Sequence, residues 1–188
     1  MTPAFTIGHS NRHWSEFIRL LEENNIGAIA DVRRHPGSKS FPQFDKETMA
    51  KELMAKSIEY AHIENLGGRR KETARALVVY DNSGWQNRSF KSYADYMTTK
   101  PFREGIEELL LLMAKCNGDL AVMCSEAVPW RCHRRLIADY LVMVEGIYVG
   151  NIINGGDNRS SRPSPHKLTP FAIGHADGVI IYPKSETM

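Results

Sequence analysis

The chain has 188 residues, of which 42% are hydrophobic and 24% charged, and its formal net charge at pH 7 is +2. This length and balance fit one globular domain, exclude disordered and collagen-like chains, and argue against a protein that coats polyanions nonspecifically. The longest apolar run covers only 109–114, so no segment is expected to cross a bilayer.

Short apolar runs alternate with amphipathic patterns along the chain. In chain order, the predicted elements are strand 5–7, helix 14–23, strand 28–30, helix 45–56, strand 58–63, helices 89–97 and 102–115, strand 120–123, helix 130–144 and strand 147–153. Lys100 and Pro101 are expected to separate the two consecutive helices. The early strands lack polar alternation, which is typical of strands covered on both faces.

Three further segments complete the predicted architecture. Residues 71–88 are interpreted as an insertion or loop covering the site, 154–170 as a loop or tether, and 171–182 as a small terminal hairpin. Alternating strands and helices favour parallel pairing with right-handed crossovers. We therefore expect one α/β domain over 1–188, an open three-layer, mostly parallel sheet of about five strands flanked by helices; an eight-stranded barrel typically needs about 250 residues.

The most informative segment is 120–141, where an apolar run meets a polar turn and then a helical pattern. Cys124, Glu126, Cys132 and His133 lie there with three arginines, Arg131, Arg134 and Arg135. Helical spacing places the arginines on one stripe at a helix start, a common anion site. Asp139, four residues after Arg135, is expected to pair with it.

In a parallel sheet, the carboxyl ends of the strands share one edge. That edge is predicted to collect His9, Ser10, Asp31, Arg33, Gly67, Gly68, Arg70, Cys124 and Glu126. Asp31 or Glu126 could act as general acid or base, with Arg33, Arg70 and Arg134 clamping an anion. The same residues could instead form structural salt bridges.

The thiols and His133 leave several interpretations open. Cys124, at a strand end before a helix that carries arginine, could be a nucleophile, but six residues separate it from Arg131, one more than in phosphatase and rhodanese loops. His133 falls on the apolar stripe, as either a core or a catalytic histidine. Cys132 is expected to be a buried, inert thiol. As helix neighbours, Cys132 and His133 would diverge by about 100°, so no metal site is expected, and a redox pair of Cys124 and Cys132 is disfavoured by the absence of CxxC.

With these residues in order, the chain resembles the family called domain of unknown function 488. The matching residues are Thr6-Ile7-Gly8-His9-Ser10, Asp31-Val32-Arg33, Pro36, Ser38, Phe41, Tyr60, His62, Leu66-Gly67-Gly68, Arg70, Phe90, Tyr93-Ala94, Tyr96-Met97, Cys124, Glu126, Cys132-His133-Arg134, His166 and Leu168-Thr169-Pro170-Phe171. The resemblance implies an α/β fold in a soluble, mostly prokaryotic family and implies no reaction. One departure is Asn151-Ile152-Ile153-Asn154, where a histidine near the fifth strand is expected.

We interpret the chain as a cytoplasmic protein, an enzyme acting on an anionic small molecule, with a nucleotide or another phosphate-bearing metabolite as first choice. The catalytic candidates are Asp31, Glu126, Cys124 and His9. The anion-binding candidates are Ser10, Arg33, Gly67, Gly68, Arg70, Arg131 and Arg134. No cofactor is assigned. Two alternatives are a nucleic-acid-binding or processing protein that stacks bases on Phe41, Phe44, Trp85 and Trp130, and a non-catalytic interaction protein with buried, paired arginines.

Overall fold

The computed structural model describes residues 2–37, 40–71, 80–153 and 162–184. The strands are β1 (Ala4–Gly8), β2 (Ile26–Asp31), β3 (Glu59–His62), β4 (Asp119–Cys124), β5 (Val149–Ile152), β6 (Ser164–Pro165), β7 (Ile173–Gly174) and β8 (Ile180–Ile181). The helices are α1 (Trp14–Glu23), α2 (Lys46–Met54), α3 (Arg88–Met97), α4 (Lys100–Lys115) and α5 (Arg134–Met143). Within this part of the chain, no helix combines the length and the hydropathy that a bilayer span requires.

Six strands form the main sheet, in the order β3-β2-β4-β1-β5-β6. The first five pair in parallel, and β7 and β8 form a separate antiparallel hairpin. This confirms the predicted α/β fold with its terminal hairpin. The loop predicted over 154–170 differs at Ser164 and Pro165, which pair antiparallel with the free edge of β5. Pro165 is compatible with this position because an edge strand leaves one side unpaired.

Helices cover both faces of the sheet, as a three-layer fold requires. Helices α1 and α2 pack on one face through side chains such as Phe17 and Leu53. Helices α3, α4 and α5 pack on the other through Tyr93, Phe102 and Leu136. Because β2, β4 and most of β1 are buried between these layers, their sequences are nearly continuous apolar runs.

Two predicted helix starts are wrong. Lys100 and Pro101 do not separate α3 from α4 but form the first turn of α4, where proline is well tolerated. The helix expected from Trp130 is interrupted: Pro129–Arg131 is a 3₁₀ turn, Cys132 is extended (φ −129°, ψ 146°), and α5 begins at Arg134. This break changes the direction of the Cys132 side chain relative to His133.

The segment predicted as a loop over the site lies partly outside the described residues, at 72–79. In its described part, buried Asn82 donates to Asp95 of α3 at 2.8 Å and accepts from the Tyr182 amide at 3.0 Å. Residues 80–88 therefore contact α3 and the terminal hairpin, and none of them lines the pocket described below.

The connections after β1 and β4 diverge. These strands are neighbours, and the chain leaves β1 through α1 on one face and leaves β4 through α5 on the other. A crevice opens where adjacent strands send their connections to opposite faces, and it is the usual ligand position in open α/β sheets. The crevice in this fold lies beyond Gly8 and Cys124.

Candidate functional site

A cavity of about 600 Å³ opens at the carboxyl ends of β1, β2 and β4. Its lining residues are His9, Ser10, Asn11, Arg33, Arg34, His35, Gly37, Phe41, Gly68, Arg69, Cys124, Ser125, Glu126 and His133. This volume lies within the range of about 300–1,000 Å³ that is common for small-molecule sites. We call this cavity the strand-end pocket.

The strand ends of β1 and β4 are held together by backbone contacts. The amides of His9 and Ser10 donate to the carbonyls of Cys124 and Ser125, each at 3.0 Å. At Gly8 a side chain is excluded, because a Cβ there would overlap the carbonyl oxygen of Glu126. The turn after β4 therefore lies directly against β1, and this brings Cys124 beside His9 in one pocket.

Asp31 and Arg33, predicted as acid/base and anion clamp, form a buried ion pair. The Arg33 Nε and Nη2 atoms donate to the two carboxylate oxygens at 2.9 and 2.6 Å. The same carboxylate accepts from the Arg33 amide at 3.0 Å and the Tyr60 hydroxyl at 2.7 Å. With both oxygens occupied and no solvent exposure, Asp31 is suited to orienting Arg33 rather than to exchanging protons.

His9 is held as a neutral imidazole. Its Nδ1 lies 2.9 Å from the Ser10 carbonyl and its Nε2 3.2 Å from Arg33 Nη1, so Nδ1–H donates and Nε2 accepts. Burial, reinforced by the charge of Arg33, lowers the pKa of His9 to about 4. The ring also stacks on Phe44 with centroids 4.3 Å apart. Both nitrogens are engaged, so His9 lacks a ring atom available to abstract a proton.

Cys124, Cys132 and His133 form one compact group, which we call the sulfur–imidazole cluster. The two Sγ atoms and one ring nitrogen of His133 all lie within 4.8 Å of one another, and Cys132 Sγ is 3.6 Å from His133 Nδ1. The predicted divergence of Cys132 and His133 is wrong because it assumed helical backbone at Cys132, which is extended. The geometric reason for excluding a shared ion is thereby removed.

The two thiols of this cluster differ in acidity. Although burial opposes ionisation, the thiol of Cys124 and the guanidinium of Arg134 lower the pKa of Cys132 to about 6. The hydrogen bond to Cys132, together with burial, raises the pKa of Cys124 well above its ordinary value. The two opposite directions favour a proton on Cys124 and a thiolate at Cys132. The predicted burial of Cys132 is confirmed, whereas the inertness of its thiol stays a prediction; the lowered pKa caused by Cys124 and Arg134 argues against it.

Arg134 is completely buried and incompletely paired. Its Nη2 donates to the Glu126 carbonyl at 2.6 Å, whereas Nε and Nη1 have no hydrogen-bond partner within the described ranges. It does not line the strand-end pocket but lies behind it, next to Cys132. A salt-bridged core of Arg33, Arg70 and Arg134 with three carboxylates is therefore not formed.

The remaining predicted site residues divide between the pocket and its supports. Ser10, Gly68 and Glu126 line the pocket together with His9, Arg33 and Cys124, whereas Gly67, Arg70 and Arg131 do not. Arg70 donates to the carbonyls of Gly67, Glu64 and Asn65 at 2.7, 2.9 and 3.0 Å, and its guanidinium stacks on Tyr96. Arg131 is exposed in the 3₁₀ turn before α5.

Several pocket residues were not selected from the sequence. Arg34, His35 and Arg69 line the cavity, and the doublets Arg33-Arg34 and Arg69-Arg70 were the available signal for the two arginines. Both arginines of each doublet follow the end of a secondary-structure element. Periodicity therefore does not predict which of the two side chains enters the pocket. The backbone at Arg69 is left-handed (φ 54°), which directs consecutive side chains differently.

Asp139 does not pair with Arg135 as predicted. Its buried carboxylate accepts from His166 at 2.8 Å, from the Thr169 amide and hydroxyl at 3.1 and 2.7 Å, and from the Tyr182 hydroxyl at 3.1 Å. Arg135 instead lies over Trp85, 5.3 Å from its ring centroid. His166 and Thr169 thus anchor the C-terminal segment to α5. Where a histidine was expected near β5, Asn151 accepts from the Thr6 hydroxyl at 2.8 Å.

Comparison with known proteins identifies one relationship. The family model described as domain of unknown function DUF488 matches residues 13–141, more than half of the chain. No curated protein and no solved structure matches. The matched range contains both β2 and β4 with the turns that follow them, and hence most of the strand-end pocket. The chain belongs to the DUF488 family of domains of unknown function.

Proposed function

We propose that this protein is an enzyme acting on an anionic small molecule, a nucleotide or another phosphate-bearing metabolite, bound in the strand-end pocket. The observation that carries the proposal is the charge of the lining, which contains three arginines, Arg33, Arg34 and Arg69, and one carboxylate, Glu126. The pocket also occupies the crevice where open α/β sheets usually bind ligands. Guanidinium groups suit phosphate because they donate two parallel hydrogen bonds.

The three arginines are suited to different tasks. Arg33 is held by Asp31, which fixes the orientation of its guanidinium at the pocket and compensates its charge. Arg34 forms a 3.3 Å ion pair with Glu64, whose side chain is 65% exposed. Such surface pairs contribute little, about 0–1 kcal/mol, so a ligand phosphate can replace Glu64 at small cost. Arg69 is exposed and lines the pocket, so its guanidinium is accessible to a bound anion.

Reactive groups beside these charges favour catalysis over simple binding. Cys124 and His133 form one wall of the pocket, and the exposed carboxylate of Glu126 forms another part. Glu126 can serve as general acid or base because it is open to the pocket, unlike the saturated Asp31. Cys124 is available as a donor or ligand rather than as a ready thiolate, since its pKa is raised.

A nucleic-acid substrate has less support. Of the four aromatic residues expected to stack bases, Phe44 is completely buried and Trp85 packs on Phe90, Phe171 and Tyr182. Trp130 is 54% exposed, and Phe41 lines the pocket. Two separated aromatics do not make the continuous stacking surface typical of single-strand binding.

The test is titration calorimetry with inorganic phosphate, nucleoside monophosphates and the corresponding unphosphorylated nucleosides. We expect phosphate-bearing ligands to bind and nucleosides to bind more weakly. Arg34→Gln and Arg69→Gln should each raise Kd about tenfold or more, the loss of one charge-assisted contact. Arg131→Gln is the matched control, because Arg131 is exposed but lies outside the pocket.

Two results contradict the proposal. One is that none of these ligands binds. The other is that Arg131→Gln weakens binding as much as the two pocket variants, which indicates a nonspecific charge effect. An oligonucleotide that binds more tightly than every mononucleotide, with steep salt dependence, replaces the proposal by the nucleic-acid alternative.

A further inference from the structure

The sulfur–imidazole cluster has the dimensions of a metal site. A tetrahedral zinc ion, with bonds of about 2.3 Å to sulfur and about 2.0 Å to nitrogen, holds such donors about 3.6 Å apart. Cys132 Sγ and His133 Nδ1 already have this separation, 3.6 Å. No pair in the cluster exceeds 4.8 Å, so the remaining contraction is about 1 Å. Two thiols and an imidazole are the donors that zinc and related ions prefer.

The orientation of His133 is that of a metal ligand. Its Nε2 lies 3.0 Å from the carbonyl oxygen of Val32, which can only accept, so the proton is on Nε2 and the lone pair on Nδ1. Ligating histidines commonly donate their second N–H to a backbone carbonyl in this way. Tyr93 packs against the ring at 4.9 Å, and a Cβ on Gly68 would lie 2.7 Å from Nδ1. The ring is therefore fixed with its lone pair toward the thiols.

Arg134 has N–H groups that can donate hydrogen bonds to a pair of metal-bound thiolates. A coordinated thiolate remains an acceptor of N–H hydrogen bonds, and second-shell donors of this kind tune metal sites. The Nε and Nη1 donors of Arg134 are buried and have no oxygen or nitrogen partner in the described residues. The guanidinium lies close enough to Cys132 to lower the pKa of its thiol, so these two unpartnered donors, which are costly to bury, are available to a metal-bound thiolate.

The cluster is open on one side. Cys124 and His133 both line the strand-end pocket, whereas Cys132 lies behind them. Three protein donors and a fourth position facing a cavity are typical of catalytic rather than structural zinc sites. An ion there would be in contact with whatever occupies the pocket.

We propose that Cys124, Cys132 and His133 bind one thiophilic divalent cation, zinc as first choice, with its fourth coordination position open to the strand-end pocket. This site is independent of the proposed anionic substrate. Binding of the metal ion in the absence of any substrate is sufficient to test it. A free thiol pair that cycles through a disulfide is the competing interpretation of the same two cysteines.

The experiment uses the full chain, reduced and treated with a chelator, and titrated anaerobically with Co²⁺ and then Zn²⁺. We expect one Co²⁺ per chain, with a thiolate-to-cobalt charge-transfer band and the intense visible bands of a tetrahedral site. Zinc should displace the cobalt and abolish both signals. Elemental analysis of protein purified without a chelator should find zinc or a related thiophilic metal, at up to one equivalent per chain.

Cys124→Ser, Cys132→Ser and His133→Asn should each weaken Co²⁺ binding at least tenfold. Cys116→Ser is the matched control, because Cys116 lies outside the cluster and contacts the carbonyls of Met113 and Gly118. Because loss of folding would also abolish cobalt binding in a cluster variant, the charge-transfer band of the unsubstituted chain is a second measurement that needs no variant.

The proposal is overturned if the reduced, folded chain binds no cobalt, or binds it without thiolate charge transfer. It is also overturned if Cys116→Ser abolishes the signal while a cluster variant retains it. Rapid formation of a Cys124–Cys132 disulfide with oxidised glutathione, in a chain that binds no metal, would assign the thiols to redox chemistry instead. None of these results depends on phosphate binding, so the two proposals can fail separately.

Discussion

The Nε2 of His133 donates to the carbonyl oxygen of Val32 at 3.0 Å, across more than a hundred residues of sequence. This bond joins the start of α5 to the end of β2, next to Asp31 and Arg33. It determines that the unprotonated nitrogen of His133 faces the thiols, where it can accept a proton or bind a metal ion. The Arg33 carbonyl is held in a similar way by His62, at 2.9 Å.

Gly68→Ala should destabilise the fold through His133. The added Cβ would lie 2.7 Å from His133 Nδ1, so the ring must move away from Val32 or the loop must shift. We expect a loss of about 1–3 kcal/mol in the free energy of unfolding, as for overpacked sites. Urea denaturation measures it. Gly37→Ala is the control in the same pocket, because its nearest neighbour would be 4.0 Å away; equal losses in both variants would contradict the contact.

Arg33→Met should be strongly destabilising. It leaves the carboxylate of Asp31 buried without its cation, a change that typically costs about 3–5 kcal/mol. Arg34→Met removes a neighbouring arginine whose ion pair with Glu64 is largely exposed, so about 1 kcal/mol or less is expected. Chemical denaturation of both variants at pH 7 compares them. A smaller loss for Arg33→Met than for Arg34→Met would show that Asp31 does not depend on Arg33.

His9 should make the folded state less stable in mild acid. Its pKa in the folded chain is about 4, below the ordinary value of 6.5, so between these pH values the unfolded chain binds a proton that the folded chain does not. The stability from neutral His9 is therefore complete above pH 6.5 and is lost as the pH falls toward 4, by at most about 1.4 kcal/mol per pH unit.

Urea denaturation at pH 7, 6 and 5 measures this slope. His9→Gln should reduce it, because glutamine cannot take up the proton, whereas His13→Gln at an exposed position should leave it unchanged. An unchanged slope in His9→Gln would mean that His9 titrates alike in both states.

Asp139→Asn should loosen the C-terminal segment. The carboxylate accepts four hydrogen bonds from His166, Thr169 and Tyr182, and an amide nitrogen cannot accept. We expect a loss of about 1–3 kcal/mol and faster proteolytic cleavage within 162–184. Asp177→Asn is the control, since Asp177 accepts from the Tyr80 hydroxyl and the nearby Val179 amide and forms no hydrogen bond with α5 within the described residues. Equal protease sensitivity of the two variants would show that Asp139 does not anchor the segment.

Periodicity determined the elements of this fold. Apolar runs without alternation indicated buried parallel strands, and the amphipathic pattern of α1 gave its bounds, Trp14–Glu23, without error. Because parallel strands end at one edge, the order of strands and turns also predicts that His9, Arg33 and Cys124 lie close together. These properties depend on residues close in sequence, so the sequence alone carries them.

Tertiary contacts decided the partners of the polar side chains. The sequence predicts the same anion-clamping role for Arg70 and Arg134. In the structure Arg70 donates to loop carbonyls, and Arg134 lies behind the pocket and donates to the Glu126 carbonyl. Asp139 accepts hydrogen bonds from His166 and Tyr182, about thirty and forty residues away in sequence, rather than pairing with Arg135 on its own helix.

The local backbone break at Cys132 had the largest consequence. A helical pattern from Trp130 predicted diverging thiol and imidazole groups, whereas extended backbone at Cys132 brings Cys124, Cys132 and His133 within 4.8 Å. Composition and periodicity could not show this, because a single non-helical residue leaves the apolar pattern of α5 unchanged. The sequence determined that reactive residues meet at the strand ends, and the packing of α5 against β2 and β4 decided which of them share a site.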